Sequence, residues 1–136
     1  MYTPERIRRV FIVSMEMAGL VKVGGLGEAV RQYAVGLARK GYDVTVLMPS
    51  HGRHLDPNRG FDLYPLDFRA CGERRGLDGR AYPYCLGAEI AFVEGVKVVM
   101  FKGLDYATGH VFDRWGVYEY AEEKAALLAR AAAAFA

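Results

Sequence analysis

Three features of this sequence predict an α/β fold built around a parallel sheet: two near-continuous apolar runs of strand character, an amphipathic helical segment between them, and a glycine-rich loop leading into that segment. Ile7 to Ser14 is β-branched and aromatic, the pattern of a strand covered on both faces. Leu26, Val30, Tyr33, Ala34, Leu37 and Ala38 then recur at three- and four-residue steps, leaving Glu28, Arg31, Arg39 and Lys40 for solvent. That spacing makes a helix, stopped by Gly41 with two cations in its last turn. Asp43 to Met48 is a second apolar strand, ended by Pro49. Strand, helix and strand of these lengths join as a right-handed βαβ unit.

The following residues have a different texture. Ser50 to Arg59 reads as a polar loop, with Gly52, Pro57 and Gly60 as breakers. Between Phe61 and Phe101 several short strands are expected, with turns at Gly76, at Leu77-Asp78-Gly79 and at Gly87. Ala88 to Val93, Glu94-Gly95, then Val96 to Phe101 predicts a hairpin. Lys102 to Tyr118 reads as an aromatic-rich loop, and Glu119 to Phe135 as an Ala-rich helix. Because that helix stops without Gly or Pro, the chain reads as truncated. Its Leu127, Leu128 and Phe135 then call for a partner, and self-association across an unfinished sheet edge is the expected consequence.

Composition narrows the function. A chain of 136 residues with 52% apolar and 25% charged residues has the make-up of a packed single domain, residues 1–136. Eighteen basic against sixteen acidic residues give +2, too balanced for sequence-independent nucleic-acid binding. No apolar run is long enough to span a membrane. Arg8-Arg9 ahead of Val10 to Val13 imitates a twin-arginine export signal, but Glu16 and Lys22 break the apolar stretch, so a buried strand and a cytoplasmic protein are expected. A single Asn and a single Gln fit a thermophilic source. Cys71 and Cys85 form no metal-binding or CxxC pattern; two idle thiols are the expected state and a bridge the alternative.

The concentrated signal is Lys22-Val23-Gly24-Gly25-Leu26-Gly27-Glu28. Paired glycines let a ligand approach the backbone, a helix start offers unpaired N–H groups, and Lys22 adds a full charge, which together suit a phosphate. Tight entry into a closely packed helix explains the glycines equally well. A P-loop would need Lys-Ser/Thr after the last glycine, where Glu28 stands. A dinucleotide fingerprint would need its glycines directly after the strand and an acid ending the second strand; neither is present, which disfavours an NAD-dependent oxidoreductase.

Ser14-Met15-Glu16-Met17-Ala18 and Val21-Lys22-Val23-Gly24-Gly25-Leu26-Gly27-Glu28-Ala29-Val30 closely resemble the opening of glycogen and starch synthases, whose signature is a Lys-x-Gly-Gly-Leu loop between first strand and first helix. The resemblance continues through Gly41 to Val46 and Met48 to Arg53, and more weakly through Gly95 to Tyr118 and Glu122-Glu123-Lys124. It implies a Rossmann-like sheet core with an added hairpin region, the N-terminal part of a two-domain retaining glucosyltransferase. That family moves glucose from ADP-glucose or UDP-glucose to the non-reducing end of an α-1,4-glucan, with no metal and no cofactor. By the same resemblance Lys22, Gly24 and Gly25 contact the donor and Glu16 lies toward the acceptor. The family's later His-Asp-Trp-His stretch and its second domain lie outside these residues, so catalytic residues are not complete here and the chain alone is expected to be inactive.

Other residues have competing readings. His51 follows a strand's carboxyl end, where such sheets bind ligands, and is a candidate to line the cleft. For His51, His54 and His110 hydrogen-bonded loop positions are expected over metal ligation. Tyr106, Phe112, Trp115 and Tyr118 could stack on sugar, with loop packing as the favoured alternative. Arg69, Arg74, Arg75 and Arg80 read as a solvated hairpin face. A non-catalytic module binding glucan or protein is the competing function.

Overall fold

A computed structural model describes residues 8–136. The chain forms β1 (Arg9–Val13), α1 (Gly25–Arg39), β2 (Asp43–Pro49), β3 (Tyr64–Arg75), β4 (Ala81–Val93), β5 (Val96–Gly103), α2 (Tyr106–Phe112) and α3 (Ala121–Phe135). The five strands make one sheet in the order β1-β2-β5-β4-β3. β1, β2 and β5 are parallel, whereas β4 pairs antiparallel with both β5 and β3. The expected βαβ unit is therefore present, and the hairpin supplies the third parallel strand.

Period-2 alternation sorts the sheet residues onto two faces. Val44, Val46, Met48, Val98 and Met100 pack with Val30, Ala34 and Val35 of α1. Leu47, Val99 and Phe101 pack on the other side with Phe112 of α2 and Leu127, Leu128 and Ala131 of α3. Coverage on both faces is why β2 reads as an unbroken apolar run.

Several boundaries differ from the sequence expectations. Ile7, the expected start of the first strand, lies outside the described residues. Pro49 closes β2 from within, in register with Phe101. In α1 the buried stripe takes in Val35, while Leu26 and Tyr33 face outward, Tyr33 being 63% exposed. The expected short strands are two long ones, β3 and β4, and Gly87 is no turn: it sits mid-strand because a Cβ there would come 2.7 Å from the Leu104 side chain. The turn at Leu77-Asp78-Gly79 is present. So is the two-residue hairpin turn at Glu94-Gly95, where both residues take positive φ, 48° and 83°.

Cys71 and Cys85 are bonded as a disulfide, against the expectation of idle thiols. They stand directly opposite each other in the β3–β4 register. Only that pairing brings the sulfurs together, and it has no signature in the linear spacing.

The expected aromatic loop after Lys102 contains helix α2. Asp105 caps it, its side chain accepting from the Thr108 N–H at 2.7 Å. The helix rests directly on the end of β5: a Cβ on Gly103 would lie 2.5 Å from the Gly109 nitrogen. Gly103→Ala is therefore expected to cost about 2 kcal/mol, because backbone and not a flexible side chain must move. A shift in urea midpoint against Gly95→Ala, where a Cβ meets nothing within 4 Å but φ is +83°, separates the steric cost from backbone strain.

The apolar side of α3 also departs from expectation. Leu127 and Leu128 are buried on the sheet, and the Phe135 ring meets Phe11, Phe68 and Phe101 at 5.9, 5.9 and 6.3 Å. Leu127 and Leu128 are covered by the chain itself, and Phe135 is partly so.

Candidate functional site

The candidate residues gather at the carboxyl ends of β1, β2 and β5, where a parallel sheet presents its loops. Ser14 ends β1 by donating its N–H to the Leu47 carbonyl at 3.0 Å. Its hydroxyl donates to the Glu16 carbonyl at 2.8 Å and accepts the Glu16 N–H at 3.2 Å, which fixes the backbone of Glu16. Met17 and Val21 then close a tight turn through paired backbone bonds of 2.8 and 3.0 Å, with Gly19 at φ +99°. This compact turn brings Lys22 and the glycines back alongside Glu16.

Glu16 organises the glycine loop. Its Oε1 accepts the N–H groups of Val23 at 2.8 Å and Gly24 at 3.0 Å, and its Oε2 accepts the Tyr118 hydroxyl. Burial disfavours the carboxylate, but the Tyr118, Val23 and Gly24 donors outweigh it and hold its pKa below the usual range. The same contact, with burial second, pushes the Tyr118 hydroxyl up to about 12. Glu16 is therefore ionised and committed to internal donors.

The glycines divide into two kinds. A Cβ on Gly27 would meet Lys22 Cγ at 3.1 Å and Glu16 Oε1 at 3.2 Å, so Gly27 serves close packing. A Cβ on Gly24 or Gly25 would meet nothing within 4 Å, so neither is demanded by internal contacts. Gly24 is the N-cap of α1 and no side chain caps that helix, whose first-turn N–H groups lack intrahelical partners. Lys22 is exposed beside this opening, and no ion pair holds it among the described residues. The Gly24 N–H is already donated to Glu16.

His51 does not face open space. It is wholly buried, its Nε2 lies 2.8 Å from the Met15 carbonyl and its Nδ1 lies 2.9 Å from Lys124 Nζ. Lys124 can only donate, so Nδ1 accepts and Nε2 carries the proton given to Met15. Burial, then the neighbouring Lys124 charge, push the His51 pKa down to about 4. Lys124, also wholly buried, donates further to the carbonyls of Arg114 at 2.8 Å and Gly116 at 2.7 Å, with Val117 at 3.3 Å. Burial lowers its pKa to about 8, leaving it charged at neutral pH.

The structure thus unites Glu16, Lys22, Gly24 and Gly25 in one loop and puts His51 behind it, joined through Met15. Sequence reasoning overlooked Lys124 and the bond from Tyr118. A signal for Lys124 was available: it lies three and four residues before Leu127 and Leu128, on the buried face of an Ala-rich helix.

Other candidates separate. His54 Nδ1 lies 2.6 Å from the Ser50 hydroxyl and its Nε2 lies 3.7 Å from Asp113, whose pKa burial raises to about 6. Among the described residues no cluster of His, Cys, Asp and Glu could hold a metal. Phe112 is buried, Trp115 lies beneath the Arg53 guanidinium at 3.6 Å, and Tyr106 is 86% exposed, so the four aromatics form no single platform. On the β3–β4 arm Arg74 lies over Tyr82 and Arg75 donates to the Gly79 carbonyl.

The chain is 31% identical over 87 residues to a glycogen synthase of Paramagnetospirillum magneticum, covering 64% of this chain and 15% of that protein. It also resembles the solved catalytic domain of starch synthase IV from Arabidopsis thaliana, bound to ADP and acarbose, with a TM-score of 0.68 and 28% identity. That likeness covers 95% of this chain and 25% of the plant chain, so these 136 residues span a minor part of either relative. A family model described as the starch synthase catalytic domain matches residues 9–136, and the chain belongs to that family of glycosyltransferases.

Proposed function

We propose that this chain forms one wall of the donor site in a retaining glucosyltransferase. The enzyme moves glucose from a nucleoside diphosphate glucose to the non-reducing end of an α-1,4-glucan. The observation that carries the reading is the open space above Gly24 and Gly25 at an uncapped helix start, with Lys22 exposed beside it. Departure of a nucleoside diphosphate builds negative charge, and a fixed ammonium with backbone N–H groups stabilises it without rearrangement. The plant relative's bound ADP and acarbose support a nucleotide donor and a glucan acceptor.

Within this reading Lys22 and the helix start at Gly25 touch the diphosphate, whereas Gly24 lends its N–H to Glu16. Glu16 and His51 act from behind the loop, as shapers of the site. One wall neither encloses a nucleotide sugar nor excludes water, so the 136-residue polypeptide by itself transfers no glucose. Among the described residues no helix is long and apolar enough to cross a membrane. We place the chain in the cytoplasm; the Cys71–Cys85 bond there fits a thermophilic source.

Calorimetric titration with ADP and with UDP tests the donor site. Wild type is expected to bind one of the two, and Lys22→Ala to weaken that binding about 10- to 100-fold, the worth of one charge-assisted contact. Equal affinity in wild type and variant would remove Lys22 from the site. Preference between the two nucleotides assigns the donor.

A further inference from the structure

Lys124 lies on α3, far along the chain from the glycine loop, yet two routes of hydrogen bonds lead from it to Glu16. The first runs through the segment before α3. Lys124 Nζ gathers the carbonyls of Arg114, Gly116 and Val117, and the next residue, Tyr118, donates its hydroxyl to Glu16 Oε2. The second runs through His51, whose Nδ1 accepts from Lys124 and whose Nε2 binds the carbonyl of Met15, the residue before Glu16. Glu16 is thus steadied at its side chain by one route and at its backbone by the other.

A buried ammonium suits this task. Three carbonyls converging on one point repel each other unless a cation stands between them, and a neutral apolar side chain would leave those of Arg114 and Val117 without a donor and that of Gly116 with the Glu119 N–H alone. The segment 113–120 is also held by the Asp113 N–H to the Gly109 carbonyl at 2.9 Å, the Glu119 N–H to the Gly116 carbonyl at 3.1 Å, Arg53 on the Trp115 carbonyl and ring, an Arg114–Glu119 ion pair at 3.4 Å and the burial of Val117 in the core. Lys124 ties three carbonyls of this segment to α3, next to Tyr118, and the direction of the Tyr118 hydroxyl follows from where they are held.

We propose that Lys124 is a positioning residue for the donor loop, fixing Tyr118 and His51 so that Glu16 holds the N–H groups of Val23 and Gly24 in place. The role rests on the reading of that loop as a diphosphate site, and it acts without Lys124 touching substrate. Removing Lys124 loosens Glu16 and lets the loop leave the geometry in which Lys22 and the helix start converge.

The test combines amide NMR of the 136-residue chain with ADP titration of wild type, Lys124→Met, Tyr118→Phe and the double variant. In both single variants the Val23 and Gly24 amide resonances are expected to move, and ADP affinity to fall about tenfold. The double variant is expected to bind no more weakly than Lys124→Met, since both changes cut the same route. The emission of Trp115, the chain's sole tryptophan, is expected to shift to the red in Lys124→Met and to stay unchanged in Tyr118→Phe. Unmoved Val23 and Gly24 amides in folded Lys124→Met would overturn the proposal, as would fully additive losses in the double variant. If Lys124→Met does not fold, Lys124→Gln, which keeps two donors, is judged by the same amides. If wild type binds neither ADP nor UDP, the diphosphate reading fails by itself, and the amide shifts still decide the role of Lys124.

Discussion

Glu16→Ala is expected to destabilise the chain by about 3 kcal/mol, the upper end of what is found for hydrogen bonds to a charged group. Three donors lose their acceptor at once: the N–H groups of Val23 and Gly24 and the hydroxyl of Tyr118. A cavity opens beside Gly27, whose Cβ-less face now touches the carboxylate. With a urea slope of about 2 kcal/mol/M, the midpoint falls by about 1.5 M. Glu16→Gln keeps the shape and one carbonyl acceptor, and is expected to lose under about 2 kcal/mol because its amide must meet Tyr118, whose hydroxyl can turn to accept. Urea unfolding of both variants separates charge from shape. An alanine variant as stable as wild type would mean that Glu16 does not hold the loop.

The second large effect is on pH dependence. His51 in the folded chain titrates at about 4 against an ordinary 6.5, because it is buried and faces the Lys124 ammonium. Between those values the unfolded chain binds the proton and the folded chain does not. Stability therefore falls as pH drops through this window, by about 3 kcal/mol in full, and the His51 contribution levels off below pH 4. Asp113 acts with the opposite sign: its pKa is raised to about 6 from 3.8, so the folded form binds the proton first and gains stability on acidification across that interval. His54, lowered chiefly by burial, works in the same direction as His51. Comparing wild type with His51→Gln isolates the His51 share. The variant is expected to be the less stable at pH 7, by loss of imidazole packing, and to converge on wild type toward pH 4. A difference independent of pH would show that His51 is not held neutral by its neighbours.

The βαβ unit was legible because its evidence is local: the unbroken apolar run of β2, helical spacing in α1, and Gly41 beyond the helix end. Leu26 and Tyr33 were read onto the wrong side of α1 because helical spacing marks a stripe without saying where the sheet ends beneath it. Helix α2 escaped notice because Tyr-Ala-Thr-Gly-His-Val-Phe has weak helix propensity. The helix is secured by the Asp105 cap and by contact with Gly103. Gly87 was taken for a turn because a glycine needed for close approach looks the same in sequence as one needed for a bend.

The sequence by itself determined the α/β class, the loop that carries Lys22, Gly24 and Gly25, and the family to which the chain belongs. Each depends on residues near one another along the chain, where periodicity and motif spacing act. Only the tertiary structure decided that Cys71 meets Cys85 across two strands, that Tyr118 reaches Glu16 over 102 residues, and that Lys124 meets His51 over 73. Those pairings depend on strand order and on how α3 and the segment before it lie against the sheet. Burial then makes them matter, since a buried charge must find a partner wherever along the chain that partner lies.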